Sequence, residues 1–350
     1  MKREPILSVV LTTHNRSHFL DQVLAGFEAQ TAEATLYEVI VVDDGSTDQT
    51  SAVLQRFSSR MPFRYYRQAS SGLAIAKNHG LYHSHGDIVL FVDDDDVPTP
   101  TLFKEHIRAH ETYPNESYAV LGLTKLASDV GRDVLMHFVT EVGGYLSSYG
   151  NLTDGDILDY SYFWGGRTSC KRILFEKAGV FNPVFRFGCE DIELGYRMTA
   201  CGLRVVFDAR AVSTMIRTIS FDSFCGRVRR QGQSQYLFYR LHPVEAIARW
   251  SQVDEAADKW PSLRDRFDVL VERGRVLDKM ALDMREHDMQ PSREFISVVH
   301  AAYWSAFDAC KYRGIYDLSE PSPWSGEDAG FCDCVCGTEE ARLRGKGRFS

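Results

Sequence analysis

Short β-branched apolar runs alternate with stretches of helical periodicity through the first third of the chain, the pattern left by βαβ units that feed a parallel sheet. Ile6 to Thr12, Tyr37 to Asp43, Phe63 to Arg67 and Asp87 to Val92 read as strands. Helices are expected over Ser17 to Gln30, with Ser17 as its cap, over Thr50 to Ser58 and over Leu73 to Ser84. The strands are almost continuously apolar, as they must be where both faces of a sheet are covered. Such a sheet gathers ligands at the carboxyl ends of its strands. Thr12 to Arg16, Asp43-Asp44 and Asp93 to Asp96 all fall there.

A helix beginning near Pro100 and ending by Pro114 leads into strand-like material from Ser117 to about Val139, then a Gly- and Tyr-rich loop through Gly166. Helices near Lys171 to Ala178 and over Ile192 to Cys201 and a strand from Arg204 to Phe207 follow. The expected division is residues 1–116 and 117–219 as two halves of an α/β domain, 220–317 as a helical extension and 318–350 as a flexible, Cys-containing tail.

Composition narrows the classes. A chain of 350 residues, 44% hydrophobic and 25% charged, can bury a sizeable core. Its net charge of −8 supplies no basic field, so nucleic acid is not an expected partner. No apolar run reaches the ~18 residues of a membrane span, nor does the N-terminus read as a signal peptide. The expected location is cytoplasmic, compatible with a peripheral position at the inner face of a membrane. Among eight cysteines, Cys170, Cys189, Cys201, Cys225 and Cys310 are scattered singly and read as reduced, packed thiols. On that reading the sequons at Asn115 and Asn151 are chance matches.

The run Asp93-Asp94-Asp95-Asp96 ends a buried strand. Like charges so placed repel one another unless a cation or hydrogen-bond donors hold them. Alternate carboxylates of a turn can converge on Mg²⁺ or Mn²⁺, which takes one or two carboxylates plus substrate phosphate oxygens. The bland alternative is a solvated acidic loop.

Four blocks, Ser8 to Arg16, Val41 to Asp48, Gly72 to Gly80 and Leu90 to Asp95, stand in an order and spacing that resembles the nucleotide-binding half of family 2 glycosyltransferases. The resemblance continues through Glu176 to Phe181 and Gly188 to Arg197, and covers about residues 6 to 215. It implies a GT-A fold, a Rossmann-like, mixed and mostly parallel sheet flanked by helices, here with a C-terminal helical extension. It also implies an inverting, metal-assisted transfer of a sugar from a nucleotide-diphosphate sugar, UDP-linked by preference. By the same resemblance Thr12 and His14 line the base pocket, with Asn15 and Arg16 beside them. Asp44 bonds the base, Asp94 the ribose, Lys77 and Asn78 lie near the diphosphate, and Asp93 and Asp95 hold the metal. Asp191 is the implied general base, with Glu190 beside it to orient the acceptor, and Asp96 stands behind the metal pair. The plain readings of Lys77 and Asp191 are an exposed helix lysine and a helix N-cap.

The chain departs from the family in two places. His14 stands where many relatives carry Tyr, and Met215 where a metal-binding His is frequent; a thioether is a poor partner for Mg²⁺ or Mn²⁺. Processive relatives carry Gln-x-x-Arg-Trp, whereas Arg229 to Ser234 does not match it, so single-sugar transfer is expected. The acceptor stays open among lipid-linked sugar, polysaccharide, protein and small molecule. Cys332, Cys334 and Cys336 read as a flexible reactive tail or, alternatively, a soft-metal or redox cluster. Trp250, Trp260, Tyr303 and Trp304 read as core, or as an apolar face touching a membrane-bound acceptor. Three other functions compete. A haloacid-dehalogenase-like phosphatase would need Asp93 on its first strand, a dehydrogenase would need G-x-G-x-x-G after the first strand, and a non-catalytic sugar-nucleotide-binding module would not need Asp191.

Overall fold

In the computed structural model, which describes residues 4–147 and 149–319, one nine-stranded mixed sheet runs through the first two thirds of the chain. Strands β1 (Leu7–Thr13), β2 (Tyr37–Asp43), β3 (Phe63–Arg67) and β4 (Ile88–Val92) lie in the order β3-β2-β1-β4 and are parallel. Helices α1 (Ser17–Glu28), α2 (Thr50–Phe57) and α3 (Leu73–Tyr82) connect them. Alternate residues of β1 feed different cores: Val9 and Leu11 pack with α1 and α2, Val10 with the α3 side. Both faces are covered, as the continuous apolar runs require.

Beyond β4 the order continues β8-β6-β9-β5. These are β5 (Asp96–Pro98), β6 (Tyr118–Leu126), β8 (Thr168–Lys171) and β9 (Arg204–Met215), while β7 (Ile157–Leu158) pairs with β9. Strand β8 runs antiparallel to β4 and β6, and β9 is parallel to β6 and antiparallel to β5. Helices α4 (Leu102–Thr112), α5 (Val134–His137), α6 (Ile173–Ala178) and α7 (Glu190–Met198) pack around this half. The rest is helical: α8 (Phe221–Leu241), α9 (Glu245–Ser251), α10 (Val253–Arg264), α11 (Phe267–Glu286) and α12 (Arg293–Ser319). Close crossing of α8 and α12 depends on Gly232 and Gly314, where an added Cβ would stand 2.2 Å from the Lys311 carbonyl and 2.0 Å from that of Arg229.

Four expectations are corrected. Strand-like residues 117–139 divide into β6 and a helical run from Val130 to Val142. Strands β5 and β8 were not anticipated, and β9 extends to Met215 rather than Phe207. Ser17 does not cap α1: its own N–H donates to Asp48 Oδ2 at 3.0 Å, so the cap comes from the neighbouring loop. Helix α12 reaches Ser319, past the expected limit of 317, whereas Cys332, Cys334 and Cys336 lie outside the described residues. None of the described helices is long and apolar enough to cross a membrane.

Candidate active site

A cleft of 760 Å³ opens at the carboxyl ends of β1 and β4 and is closed on its far side by α8, the α9–α10 junction and α12. It brings together Thr12, His14, Arg16, Asp44, Lys77, Asp93, Asp94, Asp95, Glu190 and Asp191 from the anticipated set. Residues as far apart in sequence as Thr12 and Lys311 share it.

One end is a network of short polar side chains. Asp44 accepts from Gln68 Nε2 (2.8 Å), the Ser71 N–H (2.9 Å) and the Gly72 N–H (3.0 Å), so its carboxylate fastens the loop before α3. A carboxylate offers about four acceptor positions, which leaves one for a donor on a ligand. The His14 ring is tied through Nδ1 to the Asp44 carbonyl at 2.8 Å. Asn15 adopts a left-handed φ of 54° and binds the Thr47 N–H through Oδ1 at 2.7 Å. It does not line the cleft; its work is to lock the loop after β1 onto the loop after β2. Asn78 is likewise drawn off: its Nδ2 donates to the Phe181 carbonyl at 2.8 Å and its Oδ1 accepts the Phe181 N–H at 3.0 Å. The amide therefore clamps α3 to the loop after α6 and is not available to a diphosphate.

The four aspartates are held differently, with Arg16 shared by Asp94 and Asp95 and Arg167 by Asp93 and Asp96. Asp94, 5% exposed, accepts from Thr13 Oγ1 at 2.7 Å and Arg16 at 2.8 Å. Burial pushes its carboxyl up to about 6, against the pull of Arg16. Asp95 Oδ2 meets Arg16 at 3.0 Å and Arg217 at 2.5 Å. Asp93 has a side chain 40% exposed and lies 3.5 Å from Arg167. Burial of the group is outweighed by Arg167, Lys77 and Arg16, which hold it below the usual range. Asp96 is fully buried on β5, takes the Thr124 hydroxyl at 2.9 Å and leaves Oδ1 without a partner among the described residues. Burial raises it to about 7.

Among the described residues, no three His, Cys, Asp or Glu side chains gather as a metal site. Met215 lines the cleft at the end of β9, in register with Asp96, where a further ligand would be needed. The donor set suits a cation that brings most of its own ligands: Asp93 presents a partly exposed carboxylate, and Asp95 is partly spent on Arg16 and Arg217. Guanidinium charge already stands at the same place. Arg227 of α8 also lines the cleft, over the Phe187 ring at 5.2 Å, and its Nε has no partner among the described residues. Burial, then neighbouring Arg217, pulls its pKa down to about 10, so it stays charged at neutral pH.

At the cleft floor the loop before β8 meets the start of α7. Asp191 Oδ2 accepts the Gly165 N–H at 2.7 Å and Oδ1 the Ile192 N–H at 2.8 Å. It does not occupy the cap of α7, which falls on Cys189 with a φ of 63°. Burial, then the charge of Glu190, raises Asp191 to about 6, against Lys77. Glu190 is 2% exposed and ion-paired to Lys77 at 2.8 Å. Burial works against the lysine's charge, but Glu190, Asp191 and Asp93 together raise its pKa. Neither plain reading holds: Lys77 is buried and paired to Glu190 rather than an exposed helix lysine, and Asp191 is not the cap of α7. Gly165 and Gly166 permit the convergence. A Cβ on Gly166 would lie 2.0 Å from Asp93 Oδ2, and one on Gly165 would lie 2.4 Å from Lys77 Nζ.

Sequence reasoning missed Thr13, Gly165, Gly166, Arg167, Arg217 and Arg227. The adjacent glycines were a signal of close backbone approach; the arginines had none, since only folding brings the loop before β8, the end of β9 and α8 together.

Residues 8–163 match the family model described as glycosyl transferase family 2. Validoxylamine A glucosyltransferase from Streptomyces hygroscopicus subsp. jinggangensis is 29% identical over 223 residues, 57% of this chain and 52% of that protein. A poly(ribitol-phosphate) β-N-acetylglucosaminyltransferase from Staphylococcus aureus is 30% identical over 129 residues, 36% of this chain and 22% of that protein. The mannosyltransferase PcManGT from Pyrobaculum calidifontis, solved with GDP-Man and Mn2+, superposes with a TM-score of 0.54 at 17% identity, covering 87% of this chain and 86% of that one. S. aureus TarS residues 1–349 with UDP-GlcNAc give a TM-score of 0.51 at 14% identity, over 92% and 94%. The architecture is thus the GT-A fold, and the match to glycosyl transferase family 2 spans residues 8–163 of the chain. It spans only part of the curated relatives it matches first, 52%, 49% and 61% of their lengths.

Proposed function

We propose that this protein transfers one sugar from a nucleotide-diphosphate sugar, UDP-linked, to an acceptor hydroxyl with inversion at the anomeric carbon, in polysaccharide or glycoconjugate biosynthesis. The observation that carries the reading is Asp191, fixed by two backbone N–H groups at the cleft floor with Asp93 across the Gly165-Gly166 pair. A base must be ionised at working pH and held rigidly within reach of the nucleophile. A carboxyl at about 6 meets the first condition and the two N–H bonds the second.

In the transfer, Asp191 takes the proton of the acceptor hydroxyl as its oxygen bonds to the anomeric carbon. The bond from that carbon to the diphosphate breaks on the opposite face, so the configuration inverts. Charge grows on the leaving diphosphate, and Arg217 and Arg227 are placed to meet it. Mg²⁺ or Mn²⁺ held by Asp93 and Asp95 would supply further charge neutralisation there. The remaining acceptor position on Asp44 suits the imide N–H of uracil, and Asp94 the ribose hydroxyls. The ligands of the structural neighbours, UDP-GlcNAc and GDP-Man, are of this donor class.

A panel of UDP- and GDP-sugars screened by thermal shift, followed by donor hydrolysis, tests the proposal. UDP-sugars should stabilise the protein. Asp191→Asn should cut turnover by roughly 10²–10⁴ while UDP still binds; turnover that falls by less than about tenfold would remove Asp191 from the mechanism.

A further inference from the structure

Opposite the charged network, the cleft wall has another chemistry. Gln231 and Gln235 lie one helical turn apart on α8 and both line the cleft. Gln231 enters no hydrogen bond with the described residues, and Gln235 Oε1 is buried without a partner among them. Such an orphaned acceptor costs free energy unless a ligand or water meets it. Gln252 stands at the α9–α10 junction with a left-handed φ of 57°, held by a bond from its Nε2 to Glu255 at 2.8 Å. A non-glycine residue in that conformation is strained, and the strain is kept at the cleft. Three aromatic side chains complete the wall: Tyr162, Trp164 and Trp250. Trp164 is anchored by its Nε1, which donates to the Ser161 carbonyl at 2.8 Å, and its ring centroid is 5.3 Å from that of Tyr162.

We propose that this wall is an acceptor site for a neutral carbohydrate. The proposal rests on Asp191 marking the transfer point, as argued above. Amides both donate and accept, which suits rows of hydroxyl groups, while fixed aromatic rings suit the apolar C–H faces of a sugar. A phosphate-bearing acceptor would require a cation of its own on this side. Arg16, Arg167 and Arg217 are paired to the aspartates, Arg227, unpaired at Nε among the described residues, lies in the field of Asp93 and Asp95, Lys77 is paired to Glu190, and Lys311 meets Asp308 at 3.1 Å.

Saturation-transfer NMR on the full chain with UDP present tests this without any need for turnover. The probes are maltotriose, cellotriose and triacetylchitotriose, a polyprenyl phosphate in detergent micelles, and a Ser/Thr peptide. Saturation should reach ring protons of at least one oligosaccharide. Gln235→Leu and Trp164→Ala should each weaken that binding about tenfold, the loss expected for a buried polar or stacking contact, while UDP affinity in both variants matches wild type. Binding of only the polyprenyl phosphate or the peptide, of none of the probes, or oligosaccharide binding untouched by both substitutions, overturns the proposal. Failure of wild type to bind UDP would instead count against the nucleotide reading, because the oligosaccharide signal is read separately.

Discussion

The two walls of the cleft are built on opposite plans. On the strand side, Asp44, Asp94 and Asp95 are short, charged and already bonded to Gln68, Thr13, Arg16 and Arg217 before any ligand arrives. On the helical side, beyond Arg227 at the end next to the aspartates, Gln231 and Gln235 are long, neutral and uncommitted. A charged ligand portion is best met by groups whose geometry is set in advance, since reorganising charges in a buried place is expensive. A hydroxyl-rich ligand can be met by side chains that adapt.

The largest expected effect falls where the walls meet. Asp191→Asn should lower kcat by roughly 10²–10⁴, the contribution of a positioned general base, with little change in UDP affinity; steady-state kinetics beside nucleotide titration would show the split. Equal losses in both would mean that Asp191 shapes the strand-side wall rather than acting at the junction.

Next is the buried pair beneath it. Lys77→Met leaves Glu190 without its partner at 2% exposure. Removing one member of a buried ion pair costs about 3–5 kcal/mol, readable as a lower urea midpoint. The double variant Lys77→Met/Glu190→Gln should recover part of the loss. No recovery would show that the pair is not what holds α3 to α7.

Arg217→Ala tests how much of the diphosphate charge the chain meets by itself. Loss of a charge-assisted bond of about 1.5–3 kcal/mol should weaken UDP binding by about tenfold or more. If chelation of divalent cations weakens UDP binding far more than this substitution, the metal dominates the strand-side wall and the arginines are secondary.

Two pH effects are smaller and separable. With Asp191 at about 6, kcat should fall as pH drops through 6, because the protonated base cannot accept the acceptor proton. Stability should respond to a different pair. His106 and His110 are buried on α4 and share the Ser169 hydroxyl at 2.8 and 2.9 Å. Burial holds them down at about 4 and about 3. Their folded-state pKa values lie below the ordinary 6.5, so the unfolded chain binds more protons at mildly acid pH. The stability they contribute is complete above about pH 6.5 and is lost as pH falls towards 4. Thermal midpoints measured from pH 8 to 5 should be flat and then decline, and His106→Gln should blunt the decline.

The strands β1 to β4 were legible to within a residue or so, because continuous apolar runs with polar ends admit few other readings. Strand β8, Thr-Ser-Cys-Lys, was not, since four small or polar residues carry no periodicity and their place between β4 and β6 is a matter of pairing. The Val130 to Val142 run misled in the other direction: its valines suggest a strand, but burial of Leu135, Met136, Phe138 and Val139 beside α8 and α12 makes it helical. Tertiary packing overrode the weak local preference.

What the sequence determined by itself was the strand-side wall and the resemblance of its blocks to glycosyl transferase family 2, because those blocks are compact and their residues are neighbours in the chain. It also offered Asp191, in such a block, as a candidate that the fold brings to the cleft floor. Tertiary structure alone decided that Lys77 serves Glu190, that Asn78 clamps Phe181, and that Arg217 and Arg227 stand over the aspartates. It alone assembled the helical wall of glutamines and aromatics. These contacts join residues tens to hundreds of positions apart, and their side chains carry no local pattern; what makes them partners is the burial of charge that folding imposes.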